Sequence, residues 1–225
     1  MSSIARAVLG IIALGGAFVP SAAAQKGTQL TAGVMAGVNY GKASSDPKST
    51  EFTFEYKTGW LVGAFLGIKV NDMFSVEPQA FYSVKGSEFK GIGSASSLTA
   101  SVKAGYLEVP LLGKLWFPTS NSQITPYVFA GPVFEYKLTC TADGAIVSGS
   151  GSQDCDKTDI NLKSTSFAAT GGAGLEFKAG AQVVRVDGRY TYGLTNINKT
   201  SANDNTKVKL RTFAVTAGVG FPLPR

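Results

Sequence analysis

The stretch MFSVEPQAFYSVKG at residues 73–86 alternates between two kinds of side chain almost without interruption. One set of alternate positions is apolar, and the other is mainly polar. A period of two residues predicts a β-strand, because successive side chains of a strand point to opposite faces. The pattern alone does not show which of the two faces is buried. A sheet in water buries its apolar face, whereas a barrel in a membrane turns that face to lipid and hides the polar face inside.

The N-terminus predicts export. Arg6 precedes an uncharged apolar run at residues 7–19, which is followed by Pro20 and by small residues up to Ala24. A positive residue, a short apolar run and a small-residue cleavage site make up a secretory signal peptide. The run is too short to span a bilayer as a helix, which takes ~20 apolar residues. We therefore predict a cleaved signal peptide at 1–24 and one mature domain at 25–225.

The period-two pattern recurs along the mature chain and predicts eight strands. Each is long enough for the ~9–11 residues with which a tilted strand crosses a bilayer. No mature segment has the length of a membrane helix, so a mature chain that enters a membrane has to form a closed barrel. The predicted strands lie near residues 29–40, 59–70, 73–85, 102–117, 125–138, 165–178, 181–194 and 208–221.

The connections between these strands alternate in length. Short turns are predicted at Asn71-Asp72, at 118–124 and at Ala179-Gly180. An even strand number with short turns at one end and long loops at the other is typical of outer-membrane barrels. The sequence predicts an all-β fold, an eight-stranded antiparallel up-and-down transmembrane barrel, with a soluble secreted barrel as the alternative. The longer polar segments lie at 41–58, 86–101, 139–164 and 195–207.

The polar strand faces combine glycines with charges of both signs, which suits a narrow lumen. Inside such a lumen each charge needs a partner, because burying an unpaired charge costs several kcal/mol. Aromatic residues near strand ends predict the girdles at the membrane interfaces. These are Tyr40, Trp60, Phe74, Trp116, Phe117, Tyr190, Tyr192 and Phe221. The predicted lumen ion network consists of Glu77, Lys85, Glu108, Lys114, Glu135, Glu176, Lys178, Arg185, Asp187 and Arg189.

The two cysteines, Cys140 and Cys155, predict one disulfide, since their number is even and the chain is exported. Closing this loop stabilises by roughly 3 kcal/mol in the chain-entropy model. The chain contains no histidine. Two cysteines without histidine make a poor zinc site, and catalysis by a Ser-His or His-Asp pair is excluded. We expect no metal, no other cofactor and no catalytic residues.

Four stretches carry a resemblance to a known family. They are FSVEPQAFYSVKG at 74–86, YLEVPLLGKLWF at 106–117, YVFAGPVFEY at 127–136 and RYTYGLTNI at 189–197. In this order they resemble the bacterial outer-membrane β-barrel domain family, whose members are often labelled porins or PorT-like. The resemblance implies an eight-stranded barrel similar in architecture to the OmpA and OmpX barrels, located in the bacterial outer membrane. It implies no single biochemical activity.

The expected function is that of a non-enzymatic barrel with a closed, ion-paired lumen and a structural or surface-interaction role. Binding usually resides in loops, and the longest loop, at 139–164, is either a recognition element or a solvated loop with a stabilising bridge. A small-solute pore is the alternative, and an outer-membrane enzyme is the least expected.

The expected partners follow from this location. Lys207, Lys209 and Arg211 lie on the lipid-facing positions near the outer rim. They either bind lipopolysaccharide phosphates through charge-assisted hydrogen bonds or are plain rim charges. We further expect contact with outer-membrane lipid, with the barrel-assembly machinery and with periplasmic chaperones during biogenesis. The surface ligand is unidentified, nucleic acid is not a partner, and the protein is expected to be a monomer.

Overall fold

The computed structural model describes residues 29–46, 52–91, 99–119, 123–144, 152–155, 163–197 and 207–224. The predicted signal peptide at 1–24 lies outside the described residues. Across the described ranges, no helix has the length and apolar character needed to cross a bilayer. The strands are β1 Gln29–Asp46, β2 Phe52–Lys69, β3 Phe74–Gly91, β4 Thr99–Trp116, β5 Ile124–Gly144, β6 Gln153–Asp154, β7 Thr165–Ala179, β8 Gln182–Gly193 and β9 Lys207–Pro222.

Eight long strands form a closed antiparallel ring. The order around the ring is β4-β3-β2-β1-β9-β8-β7-β5, and pairing between β4 and β5 closes it. The short strand β6 pairs only with β5, beyond the point where the β5–β7 ladder ends. The predicted fold class, an up-and-down barrel of eight strands, is confirmed.

The strands on one side of the ring are longer than predicted. β1 to β4 each have 18 residues and β5 has 21, whereas β8 has 12. Much of the segments at 41–58 and 86–101, predicted as loops, is therefore strand. Inward contacts hold these extensions together, because the Ala43 N–H donates to Ser87 Oγ at 3.2 Å and the Phe54 and Phe89 rings lie 5.0 Å apart. The strands therefore extend further toward the long-loop end on the β1 to β5 side of the barrel than on the β7 and β8 side.

Alternation along β3 shows which face is the inside. The odd-numbered residues from Ser75 to Lys85 are all buried, and the even-numbered residues from Phe74 to Val84 are not. The other long strands expose large apolar side chains on the outer surface, which is the pattern of a face that meets lipid. Exposed apolar residues on the outer face include Val34, Trp60, Val62, Leu111, Leu115, Phe167, Tyr190, Phe213 and Phe221.

One predicted girdle residue, Trp116, lies inside the barrel. Its side chain is buried, and its indole N–H donates to Ser75 Oγ at 2.7 Å. Leu115 and Phe117 are exposed on either side of it, so the alternation of β4 directs Trp116 inward. The predicted girdle position of Trp116 is therefore wrong, because the alternation along β4 decides its face and its place near a strand end does not.

Prolines interrupt strand pairing without shifting the register. The sequence predicts bulges or pairing defects at Pro78, Pro110 and Pro132, because proline has no N–H for the ladder. Pairing is interrupted beside Pro78 in the β3–β4 ladder, and beside Pro110 and at Pro132 in the β4–β5 ladder, and each ladder resumes in the same register. The register shifts lie elsewhere, between Tyr56 and Trp60 and at Gly105. Pairing gaps, and not bulges, accommodate the prolines.

Close approach between strands requires glycine at position 37. A Cβ atom there would lie 2.2 Å from the Val215 carbonyl oxygen and 2.8 Å from the Thr216 Cα, which are backbone atoms. We expect Gly37→Val to destabilise the barrel by about 3 kcal/mol or more, the upper range for overpacking. The matched control is Gly188→Val on β8, where a Cβ would have no heavy atom within 4 Å. Urea unfolding in detergent micelles measures both variants, and equal stability of the two would contradict this account.

Candidate functional site

Glu77 is the centre of a buried ion cluster in the lumen. Its two carboxylate oxygens lie 2.8 Å from the Lys114 Nζ and 2.7 Å from the Arg185 Nη1. The Arg185 Nε donates to Glu176 at 2.7 Å. The side chains of Glu77 and Lys114 are 0% exposed. The four residues come from β3, β4, β7 and β8, so the cluster ties together strands from both halves of the ring.

A glutamine extends this cluster to a second set of charges. Gln79 donates to Glu77 at 2.7 Å and accepts from the Arg189 Nη1 at 3.0 Å. Arg189 pairs with Asp187 at 3.0 Å, and the Tyr127 hydroxyl donates to the same carboxylate. Three carboxylates face three cations, so this part of the lumen is electrically balanced. We call it the lower cluster: Glu77, Gln79, Lys114, Tyr127, Glu176, Arg185, Asp187 and Arg189.

A second group of charges lies nearer the long-loop end, and we call it the upper cluster: Lys85, Glu108, Glu135 and Ser166. The Lys85 Nζ lies 2.8 Å from Glu108 and 2.6 Å from Glu135. Glu108 and Glu135 are register partners on β4 and β5, so both carboxylates converge on the one ammonium group. Ser166 donates to the second oxygen of Glu135 at 2.8 Å. Glu135 is thus held by two donors, the Lys85 ammonium group at one oxygen and the Ser166 hydroxyl at the other.

Aromatic rings occupy the space around the buried cations. The Arg185 guanidinium lies 4.4 Å from the Phe65 ring centroid, the Lys114 Nζ lies 4.5 Å from that of Tyr127, and Arg189 lies 5.2 Å from that of Phe81. At these distances a cation is attracted to the face of the ring. These rings and Gln79 are absent from the predicted lumen network, although all of them occupy the same alternate positions as the charges on their strands.

The structure brings together nine of the ten residues predicted for the lumen network, and it places them in the two clusters. Lys178 lies apart from both. It is exposed, and β7 ends at the next residue, so the side chain reaches the open end of the barrel. Within the described part of the chain, Lys178 forms no ion pair.

The disulfide lies inside the mouth of the barrel at the long-loop end. Cys140 and Cys155 are bonded, and Cys155 is 0% exposed. The bridge packs with Val102, Ala104, Tyr106 and Ala142. Tyr106 in turn lies near Lys85, whose Nζ is 5.8 Å from the ring centroid. The bridge therefore holds the chain after β5 over the upper cluster.

A cavity of about 650 Å³ opens at the short-turn end. It reaches inward to Glu77 and Arg185, and Trp116 and Lys178 also line it. We call this cavity the vestibule. It extends as far as the lower cluster.

The three predicted outer-rim cations lie on β9. Arg211 is exposed and Lys209 is half-buried, and both lie on the outward-facing positions of the strand. The backbone of Lys207 begins β9, but its side chain lies outside the described part. The cations of β9 are therefore separate from the lumen clusters.

Comparisons with known proteins agree with this architecture. A family model described as an outer membrane protein beta-barrel domain matches residues 23–199. The crystal structure of the outer membrane protein OprG from Pseudomonas aeruginosa is 18% identical, with a TM-score of 0.52, over 88% of this chain and 97% of that chain. The crystal structure of Neisserial surface protein A is also 18% identical, with a TM-score of 0.47, over 85% of this chain and 97% of that one. No curated protein matches the sequence.

At this identity the likeness to OprG shows the fold alone, and it is the fold described above. The family model, in contrast, covers most of the chain. The protein is therefore located in the bacterial outer membrane, and the chain belongs to the outer membrane protein beta-barrel domain family.

Proposed function

We propose that this protein is a non-enzymatic outer-membrane barrel whose lumen is closed to solutes and whose long-loop end interacts at the cell surface. The observation that carries the proposal is the lower cluster, in which buried charges from opposite sides of the ring meet across the lumen. An eight-stranded barrel has an interior that side chains just fill. In this barrel, ion pairs and aromatic side chains fill the interior.

A permeating ion would have to separate these pairs. The side chains of Glu77 and Lys114 are 0% exposed, and a buried charge that loses its partner costs several kcal/mol. Arg185 is held by two carboxylates from different strands. The lower cluster is therefore a barrier both because it occupies the space and because it is costly to open.

Conductance of the mature chain in a planar bilayer tests the closed lumen. We expect no discrete current steps from the wild-type protein after flotation of proteoliposomes has shown insertion. The matched variant is Glu77→Ala/Lys114→Ala, which removes one acid and one base and keeps the net charge. Because it empties the centre of the lower cluster, this variant should give steps. Steps from the wild type would contradict the proposal.

A small-solute pore is the second candidate, and the vestibule favours it. The cavity opens the short-turn end to solvent and already reaches Glu77 and Arg185, so a small movement of the lower cluster would extend it. Current steps from the wild type would make this the better assignment.

The remaining parts of the proposal concern partners. The long-loop end is the side from which a surface ligand would approach, and the disulfide shapes it. We also propose that the protein is a monomer that contacts outer-membrane lipid and that assembles through the barrel-assembly machinery with periplasmic chaperones.

A further inference from the structure

The outer edge of the apolar surface is followed directly by cations on two neighbouring strands. On β1, Val34, Val38 and Tyr40 are exposed on the outward face, and Lys42 is the next outward residue after Tyr40. On β9, Arg211 is the next outward residue after Phe213. The register aligns these rows, since Tyr40 pairs with Phe213 and Lys42 pairs with Arg211. Lys42 and Arg211 therefore lie two residues beyond Tyr40 and Phe213 on the same outer face, toward the long-loop end.

Two tyrosines hold these cations in place. The Lys42 Nζ lies 5.3 Å from the Tyr56 ring centroid. The Arg211 guanidinium and the Lys209 Nζ lie 5.3 and 5.5 Å from the Tyr192 ring centroid. Lys209 occupies the next outward position after Arg211 and pairs with Ser44. The rings attract the cations without neutralising them.

These three cations have no carboxylate partner in the described ranges of the chain. The contrast is with the outer end of β2 and β3, where Lys90 lies 2.7 Å from Glu55 and 3.8 Å from Glu88. One side of the outer rim is thus neutralised by its own acids, whereas on the β1–β9 side no described carboxylate pairs with these cations. This side complements an anion at the level where lipid headgroups begin.

Phosphate is the anion that fits this arrangement. A guanidinium binds phosphate through two parallel hydrogen bonds, and lysine adds point charges to it. The apolar and aromatic surface immediately below provides the contact for acyl chains. A ligand that joins phosphate to several acyl chains uses both surfaces at once.

We propose that Lys42, Lys209 and Arg211 bind the phosphate of a phosphorylated sugar lipid, the lipid A part of lipopolysaccharide, on the outside of β1 and β9. We call these three residues the rim cations. The proposal rests on the proposed function only for the orientation of the long-loop end toward the cell exterior. A conducting lumen would refute the closed barrel and leave this contact intact, because the rim cations lie on the outer surface.

Native mass spectrometry of the full mature chain in detergent micelles tests the proposal. The probe is bisphosphorylated lipid A, and lipid A without phosphate and phosphatidylglycerol are the comparisons. The test variant is Lys42→Ala/Lys209→Ala/Arg211→Ala. The control, Lys69→Ala/Lys103→Ala/Lys178→Ala, removes the same number of positive charges elsewhere. We expect the test variant to lose roughly 1000-fold in affinity for bisphosphorylated lipid A, since each of the three charge-assisted contacts contributes about tenfold or more. The control should change by about twofold at most, as expected of exposed charges.

Three results would overturn the proposal. Equal losses in the two triple variants would show that only net charge matters. Equal binding of lipid A without phosphate would assign the contact to acyl chains alone. Equal binding of phosphatidylglycerol would show that any anionic headgroup suffices. If the triple variant does not fold, Arg211→Lys serves in its place, since it keeps the charge, removes the paired donors and should weaken binding by roughly tenfold.

Discussion

Glu77→Gln should destabilise the folded barrel by about 3–5 kcal/mol, the cost of removing one partner from a buried ion pair. Lys114, which is 0% exposed, would keep its charge and lose the carboxylate 2.8 Å away. Arg185 would lose one of its two carboxylates. Glutamine keeps the shape of the side chain, so the loss would report on charge and not on packing. Urea unfolding in detergent micelles, followed by tryptophan fluorescence, gives the difference in the free energy of unfolding.

The matched control is Glu55→Gln, because Glu55 lies at a similar distance, 2.7 Å, from its own lysine partner. That pair is nearly half exposed, with side-chain exposures of 46% for Lys90 and 45% for Glu55. Exposed ion pairs contribute about 1 kcal/mol or less. A similar loss in both variants would contradict the assignment of Glu77 as the centre of the lower cluster. Glu77→Gln/Lys114→Met should recover part of the loss, since it removes the isolated ammonium group.

Removal of the disulfide should also have a large effect. We expect Cys140→Ala/Cys155→Ala to lower the free energy of unfolding by about 3 kcal/mol, the chain-entropy value for a loop of this length. The same variant should open the mouth over the upper cluster, because it removes the covalent bond that joins the buried Cys155 to β5.

An amine-reactive reagent added to the folded protein measures the opening of the mouth. Lys85 is 3% exposed and should react only in the variant without the disulfide. Lys103 is exposed in the structure and provides the internal control, since it should react equally in both proteins. Protection of Lys85 in the variant would mean that the strands alone close the mouth.

Alternation of side chains was sufficient to predict the ring and the direction of most side chains. Along β3, each odd-numbered residue from Ser75 to Lys85 lies inside, as this pattern requires. Trp116 lies inside and not in the predicted girdle, because the alternation along β4, and not the distance from the strand end, sets the direction of its side chain. The aromatic rings that line the lumen, including Phe65 and Phe81, follow the same alternation. Their packing around the buried cations was not predicted, because an apolar residue on a mainly polar face gives no sign of its neighbours.

The lengths of the strands could not be read from hydrophobic alternation alone. Beyond the lipid, outward residues such as Lys42 and Lys90 are polar, so the contrast between the two faces fades while backbone pairing continues. The ion-pair partners inside the lumen could not be predicted from the sequence either, because they depend on the tilt of the strands and on the register around the ring. The sequence shows that Glu77 and Arg185 share an interior, but only closure of the ring shows that they touch.

The ion pair between Glu77 and Arg185 also constrains how the chain can assemble. The two residues are 108 positions apart, on β3 and β8, so an early hairpin made from the first half of the chain contains the carboxylate without this cation. Lys114 on β4 supplies one partner early, but Glu77 faces both Lys114 and Arg185 in the closed ring. Partly assembled sheets are therefore poor intermediates, and contacts so distant in sequence form slowly. The last strands do more than close the ring: Arg185 and Glu176 complete a cluster that β3 and β4 hold only in part, which makes insertion and closure a single cooperative event.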